Sequence, residues 1–206
     1  MAPRDGRCKV NMKDISLIGF MGCGKSSVGK ILATLIPECR LIDLDTYIEE
    51  KQGKNIPEIF NEYGEAAFRR MEREALEEIF SDKSRPRAIF SLGGGTVTSE
   101  RCRQLVRQHT DCFYLRATTD TLLSNLEGHS EGRPMLSSVQ PAEASPTETS
   151  SERESLRHRI ESLMQTRSPQ YIATANHIID IDGQTFAQIA EIIKEAVETN
   201  TLNIKR

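Results

Sequence analysis

The stretch Gly19-Phe-Met-Gly-Cys-Gly24-Lys25-Ser26 fits the spacing GxxxxGK[ST] and occurs once in the 206 residues. It sits between a short apolar run, Ile15–Ile18, and a stretch in which Val28, Ile31, Leu32 and Leu35 recur on one helical face. Strand, glycine-rich turn and helix in that order build an anion site. Glycine lets the backbone wrap a phosphate closely, successive N–H groups form a nest, and the helix N-terminus adds its positive end. The N–H groups of Gly22, Cys23, Gly24, Lys25, Ser26 and Ser27 would cradle the phosphates. Lys25 would reach the β- and γ-phosphates, and the Ser26 hydroxyl would ligate Mg²⁺. The motif thus calls for a nucleoside triphosphate and for a sheet to carry the loop.

The rest of the chain supplies that sheet. Short apolar strands are predicted at Leu41–Leu44, Ala88–Leu92, Cys112–Leu115 and His177–Ile181. Helical periodicity fills the gaps: Phe68, Met71, Ala75, Leu76 and Ile79, then Cys102, Leu105 and Val106, then Leu122, Leu123 and Leu126. Leu156, Ile160, Leu163 and Met164 mark another helix, and Phe186–Val197 the last. Alternation of this kind predicts an α/β domain of three layers around a mainly parallel sheet, with ligands at the carboxyl ends of the strands. One stretch breaks the rhythm. Ser137–Ser155 holds six serines, four glutamates and two prolines without an aromatic residue. It cannot bury enough apolar surface to order itself and reads as a mobile loop.

Three further clusters could carry chemistry. Asp43 and Asp45 close the second strand as Leu-Ile-Asp-Leu-Asp, and residues two apart on a strand share a face. Both carboxylates are expected at its carboxyl end, one serving the metal and the other an acceptor hydroxyl; the plainer role is to end a strand and cap a helix. In Phe68-Arg69-Arg70-Met71-Glu72, Arg69 and Glu72 share a helical face, as an ion pair or as a planar fork for a carboxylate held in place by Glu72. The triple glycine of Ser91-Leu-Gly93-Gly94-Gly95 follows a strand, where backbone can approach a ligand closely. That strand carries no aspartate at its tip, which leaves Asp43 as the metal's carboxylate. Arg133, in Gly132-Arg133-Pro134, opens the serine-rich loop, where an arginine can stabilise a phosphoryl group in flight. Arg167, in Arg167-Ser-Pro-Gln-Tyr171, is placed at a helix end, against the dipole or on an anion.

Composition narrows the partners. Thirty acidic and 27 basic residues leave a net charge of −3, which argues against a dedicated nucleic-acid binder but not against a small anion. No apolar run is long enough to span a membrane. The five cysteines are scattered, odd in number and without CxxC spacing, so reduced thiols are expected rather than a zinc site or disulfide framework. Residues 1–14 lack the apolar core of a secretory signal, and a cytoplasmic setting is the default.

Taken together, GFMGCGKS, the LIDLD strand end, IPEIFNEYGEAAFRRMERE, SLGGG, GRPML and RSPQY resemble the shikimate kinase family, in that family's order, from about residue 15 to residue 195. The resemblance implies transfer of the ATP γ-phosphoryl group to the 3-hydroxyl of shikimate, a step of chorismate and aromatic amino acid biosynthesis. It also implies a nucleoside-monophosphate-kinase-like fold, a P-loop kinase fold with a five-stranded parallel sheet and a mobile lid. Lys25 and Ser26 then handle phosphates and Mg²⁺, and Asp43 assists the metal through water. Asp45 holds the acceptor hydroxyl and acts as base. Arg69 and Arg167 clamp the substrate carboxylate, Gly93, Gly94 and Gly95 line its pocket, and Arg133 is the lid arginine.

The implied organisation is an extension at 1–14, a kinase domain at 15–198 with its lid at about 128–155, and a tail at 199–206. The partners are ATP and shikimate, without nucleic acid or membrane, and the enzyme is expected to be a monomer. Two departures stand out: a lid segment about 15 residues longer than the family usually has, and Asn125-Leu126-Glu127 where some members place an arginine near adenine. A gluconate kinase shares the P-loop but does not call for the FRRxE and RxPxY pair. A kinase-like binding protein that has lost catalysis would be expected to lose Lys25, Asp45 or Arg133, and all three are present.

Overall fold

The computed structural model describes residues 13–126 and 148–204. Five strands, β1 (Asp14–Ile18), β2 (Arg40–Asp43), β3 (Ala88–Ser91), β4 (Thr110–Arg116) and β5 (His177–Asp180), form one sheet in the order β2-β3-β1-β4-β5. All four pairings are parallel, with Ile15 opposite both Ile89 and Asp111. The strand side chains alternate between two apolar cores, as a period of two requires. Ile15, Leu17, Phe113 and Leu115 face one core. Ile18, Phe90, Cys112 and Tyr114 face the other.

Helices cover both faces. α1 (Lys25–Leu35) packs against α7 (Phe186–Ile204) on the first. α3 (Ile56–Ser81) and α4 (Glu100–His109) pack together on the second. α2 (Leu44–Gln52), α5 (Thr119–Leu126) and α6 (Glu148–Thr174) complete the set. This is the predicted three-layer α/β architecture. β1 connects to β2 on one side, whereas β3 connects to β4 on the other, so the chain reverses direction between β1 and β3. In open parallel sheets that reversal opens a crevice at the strands' carboxyl ends. Here the crevice lies between the P-loop and the triple glycine.

Several boundaries differ from those predicted, each for a local reason. β2 ends at Asp43, which caps α2 by accepting from Thr46 N at 3.4 Å. Asp45 is therefore in the first turn of a helix and not on a strand. α6 begins at Glu148, so residues 148–155 of the expected loop are helical, and the remainder, 137–147, lies outside the described residues. α6 also runs through Pro169 to Thr174, which puts Arg167 inside a helix instead of at its end. α7 likewise continues to Ile204, into the stretch assigned to a tail. α3 is broken at Gly64, whose φ of 76° and ψ of 169° are outside the helical region. Glycine takes that conformation without steric cost, and Arg69 falls early in the segment that restarts after it. No described helix is long and apolar enough to cross a membrane.

Candidate active site

The P-loop turns on Gly22 and Gly24, both at positive φ. Gly24 is the N-cap of α1, and a Cβ there would lie 2.5 Å from the Phe186 ring. Lys25 is buried and donates from Nζ to the carbonyls of Gly19 and Phe20, each at 3.0 Å, with Cys23 Sγ at 3.7 Å. The Ser26 hydroxyl donates to Asp43 Oδ2 at 2.6 Å and lies 3.0 Å from Ser91 Oγ. A cavity of about 640 Å³ opens here. Its walls include Lys25, Ser26, Ser27, Asp43, Asp45 and Phe186, together with Gly22, Gly24, Gly93 and Gly94.

Asp45 stands at the cavity's inner wall. Its Oδ1 is buried without a hydrogen-bond partner among the described residues. Burial pushes its carboxyl up to about 7, helped by the negative charges of Glu72 and Asp43 and opposed by Lys25 and Arg69. Beyond it lies a second cluster. A Cβ on Gly93 would fall 2.9 Å from Asp45 Oδ1, 3.0 Å from Glu72 Oε1 and 3.1 Å from Thr96 Oγ1. Glu72 is fully buried and receives Arg69 Nη1 on Oε2 at 2.6 Å and the Thr96 hydroxyl on Oε1. Burial raises its carboxyl, while Arg69, Thr96 and Arg167 oppose that shift.

The triple glycine separates the two clusters. The Gly94 Cα packs on the P-loop, since a Cβ there would meet Met21 N at 3.2 Å. Gly95 leaves room for a guanidinium, because a Cβ there would fall 2.2 Å from Arg69 Nη2. Arg167 is buried with its guanidinium 5.9 Å from the Phe20 ring. From the same helix, the Tyr171 hydroxyl donates to the Gly94 carbonyl. The structure thus brings Lys25, Ser26, Asp43, Asp45, Gly93 and Gly94 together at one cavity. Arg69, Gly95 and Arg167 are not part of its lining; Arg69 is bonded to Glu72, Gly95 lies against the Arg69 guanidinium, and the Arg167 charge acts on Glu72. Arg133 lies outside the described residues.

Thr96 lies outside every motif that the sequence offered, and Phe20, Ser91 and Tyr171 stand in those motifs without a role of their own. Their partners are far along the chain.

The family model for shikimate kinase matches residues 21–198. The chain belongs to the shikimate kinase family. A shikimate kinase from Chlorobaculum tepidum is 35% identical over 184 residues, 89% of this chain and 90% of that protein. A shikimate kinase from Acinetobacter baumannii, solved in complex with shikimate, superposes with a TM-score of 0.78 at 28% identity, covering 92% of this chain and 94% of that one. A gluconokinase from Sinorhizobium meliloti has a TM-score of 0.53 at 12% identity, covering 94% and 96%, which shows the fold alone. As a shikimate kinase family member the chain is a P-loop kinase.

Proposed function

We propose that this chain transfers the γ-phosphoryl group of ATP to the 3-hydroxyl of shikimate, giving shikimate 3-phosphate and ADP on the route to chorismate and the aromatic amino acids. The observation that carries this reading is Asp45. It offers a buried, unpartnered carboxylate oxygen between the phosphate-side cavity and the Arg69–Glu72 pair. A hydroxy acid whose carboxylate rests on Arg69 and Arg167 can present a hydroxyl there, and planar guanidinium forks suit that carboxylate.

On the nucleotide side, the N–H groups of Gly22, Cys23, Gly24, Lys25, Ser26 and Ser27 hold the phosphates. Lys25 exchanges its carbonyl partners for phosphate oxygens. Phe186, Ser124 and Asn125, at the same cavity, face the base. Ser26, Asp43 and Ser91 form a set of hard oxygen donors that suits Mg²⁺, which the Ser26 hydroxyl would hold with the help of Asp43. When bound, the ion neutralises charge on the β- and γ-phosphates.

Asp45 then orients the acceptor hydroxyl and takes its proton as the new oxygen–phosphorus bond forms and the bond to the β-phosphate oxygen breaks. Arg133 on the lid stabilises the phosphoryl group between them. Gly93, Gly94 and Gly95 bring backbone close to the substrate. Catalysis rests on positioning and charge neutralisation without a covalent enzyme intermediate. The same reading has the enzyme act as a cytoplasmic monomer on two small soluble molecules, with a domain at 15–198 and the remainder of the lid at 128–147.

Titration calorimetry tests the carboxylate clamp. Arg69→Ala and Arg167→Ala should each weaken shikimate binding by roughly ten-fold or more, the scale of a charge-assisted pair, with ATP affinity within about two-fold. Unchanged shikimate affinity in both variants would contradict the assignment.

A further inference from the structure

We infer that Thr96 is a positioning residue for substrate binding: its hydroxyl fixes Glu72, and Glu72 fixes the guanidinium of Arg69. The inference rests on the reading that Arg69 receives the substrate carboxylate.

A buried carboxylate must have donors on its oxygens, because leaving one unmet costs far more than the bond is worth at the surface. Glu72 Oε2 receives Arg69 Nη1. For Oε1, the hydroxyl of Thr96 is the donor. Thr96 is itself fully buried, at the head of the short 3₁₀ turn Thr96–Thr98, whose first bond runs from Thr96 N to the Gly93 carbonyl at 3.1 Å. Its backbone is therefore set by the triple-glycine turn, and the hydroxyl is set with it.

Arg69 has a second carboxylate partner, Glu65, at 3.0 Å from Nη2 and 3.3 Å from Nε. Glu65 is about half exposed, whereas the Glu72 side chain is 1% exposed. Exposed pairs are weak and exchangeable, and buried, fully bonded ones are not. Glu65 can therefore yield to an incoming carboxylate while Glu72 keeps its hold. The turn contributes twice. Gly95 supplies the space in which the guanidinium lies, and the next residue, Thr96, supplies the donor that anchors the guanidinium's counter-ion.

Among the described residues, charged and titratable groups that act on Glu72 come from several elements. They include Arg69 on α3, Arg167 on α6, Asp45 on α2 and Cys102 on α4. Without the Thr96 donor the Glu72 anion loses stabilisation and takes up a proton at higher pH than before. Protonation removes the charge that holds Arg69, so the loss should grow as pH falls.

Steady-state kinetics of the full chain with Thr96→Val test this. The variant keeps the shape and removes the hydroxyl. The shikimate KM should rise roughly ten-fold, as for loss of a bond to a charged group. Turnover and the ATP KM should stay within about two-fold, and the rise in the shikimate KM should grow as pH falls. Thr96→Ser, which restores the hydroxyl, should bring the shikimate KM back. Should the valine variant not fold, Thr96→Ala removes the same donor with a smaller side chain and carries the same expectations.

An unmoved shikimate KM alongside a lowered melting temperature would mean a purely structural threonine and overturn the inference. So would a Thr96→Ser enzyme that behaves like the valine variant. Arg69→Ala, measured in parallel, separates the two levels. If it leaves the shikimate KM unchanged, the clamp reading itself has failed; if it raises the KM while Thr96→Val does not, Thr96 alone has been misassigned.

Discussion

At the scale of single residues, Asp45 has an environment that favours a proton, and that environment conflicts with stability. Its carboxyl sits at about 7 through burial, with Glu72 and Asp43 adding to the shift. An acid whose pKa is higher folded than unfolded binds its proton more tightly in the native state. Its stabilising effect is therefore present below the unfolded value, near 4, and lost as pH rises through about 7. Asp45→Asn cannot ionise and escapes that loss. Calorimetric melting of the unliganded protein should show the variant gaining on the natural protein between pH 4 and 7 and levelling off above about 8. A shift of this size corresponds to a few kcal/mol. Turnover of the same variant should fall by orders of magnitude with ATP binding near normal. Parallel melting profiles across that range would show that Asp45 is not the source, and unimpaired turnover would remove its role as base.

At the scale of elements, the glycine turn after β3 joins the two halves of the site, and Gly95 can be probed without disturbing the backbone. Its φ of −107° and ψ of −5° suit any residue, so Gly95→Ala adds only a Cβ, 2.2 Å from Arg69 Nη2. The guanidinium must move. The shikimate KM should rise about ten-fold or more, in line with loss of a charge-assisted pair, while the ATP KM stays put. An unchanged shikimate KM would mean that Arg69 is free to bind from elsewhere.

This level also shows what the chain's order of residues could convey. The P-loop was legible because all of its parts lie within Gly19–Ser26 and act through local backbone. The pairing of Arg69 with Glu72 was legible from helical spacing. Asp43 and Asp45 were rightly placed at one cavity but for a mistaken reason. The strand stops at Asp43, which caps α2, so the first turn of a helix carries Asp45 instead of a shared strand face. Arg167 was placed at a helix end, yet α6 passes through Pro169 and on to Thr174. Contacts on both sides, Arg167 over Phe20 and Tyr171 to the Gly94 carbonyl, hold the segment in place. Such contacts span more than 70 residues and leave no mark in local pattern.

At the scale of the whole molecule, the sheet order explains why residues from distant segments meet. Reversal of direction between β1 and β3 sets the P-loop beside the triple glycine, and α2 and α3 bring Asp45, Arg69 and Glu72 to the same end. The net charge of −3 is no guide to this end of the sheet, where Lys25, Arg69 and Arg167 gather around buried carboxylates. A shared fold alone does not choose the acceptor, since a gluconokinase has the same layout. Under the proposed clamp, Arg69 and Arg167 behind Gly93–Gly95 would choose it. The most direct test is ADP release by the purified full chain with ATP and Mg²⁺, offered shikimate, gluconate or nucleoside monophosphates in turn. Acceptor-dependent ADP release is expected with shikimate alone; release with gluconate or a nucleoside monophosphate instead, or with no acceptor at all, would overturn the proposed function.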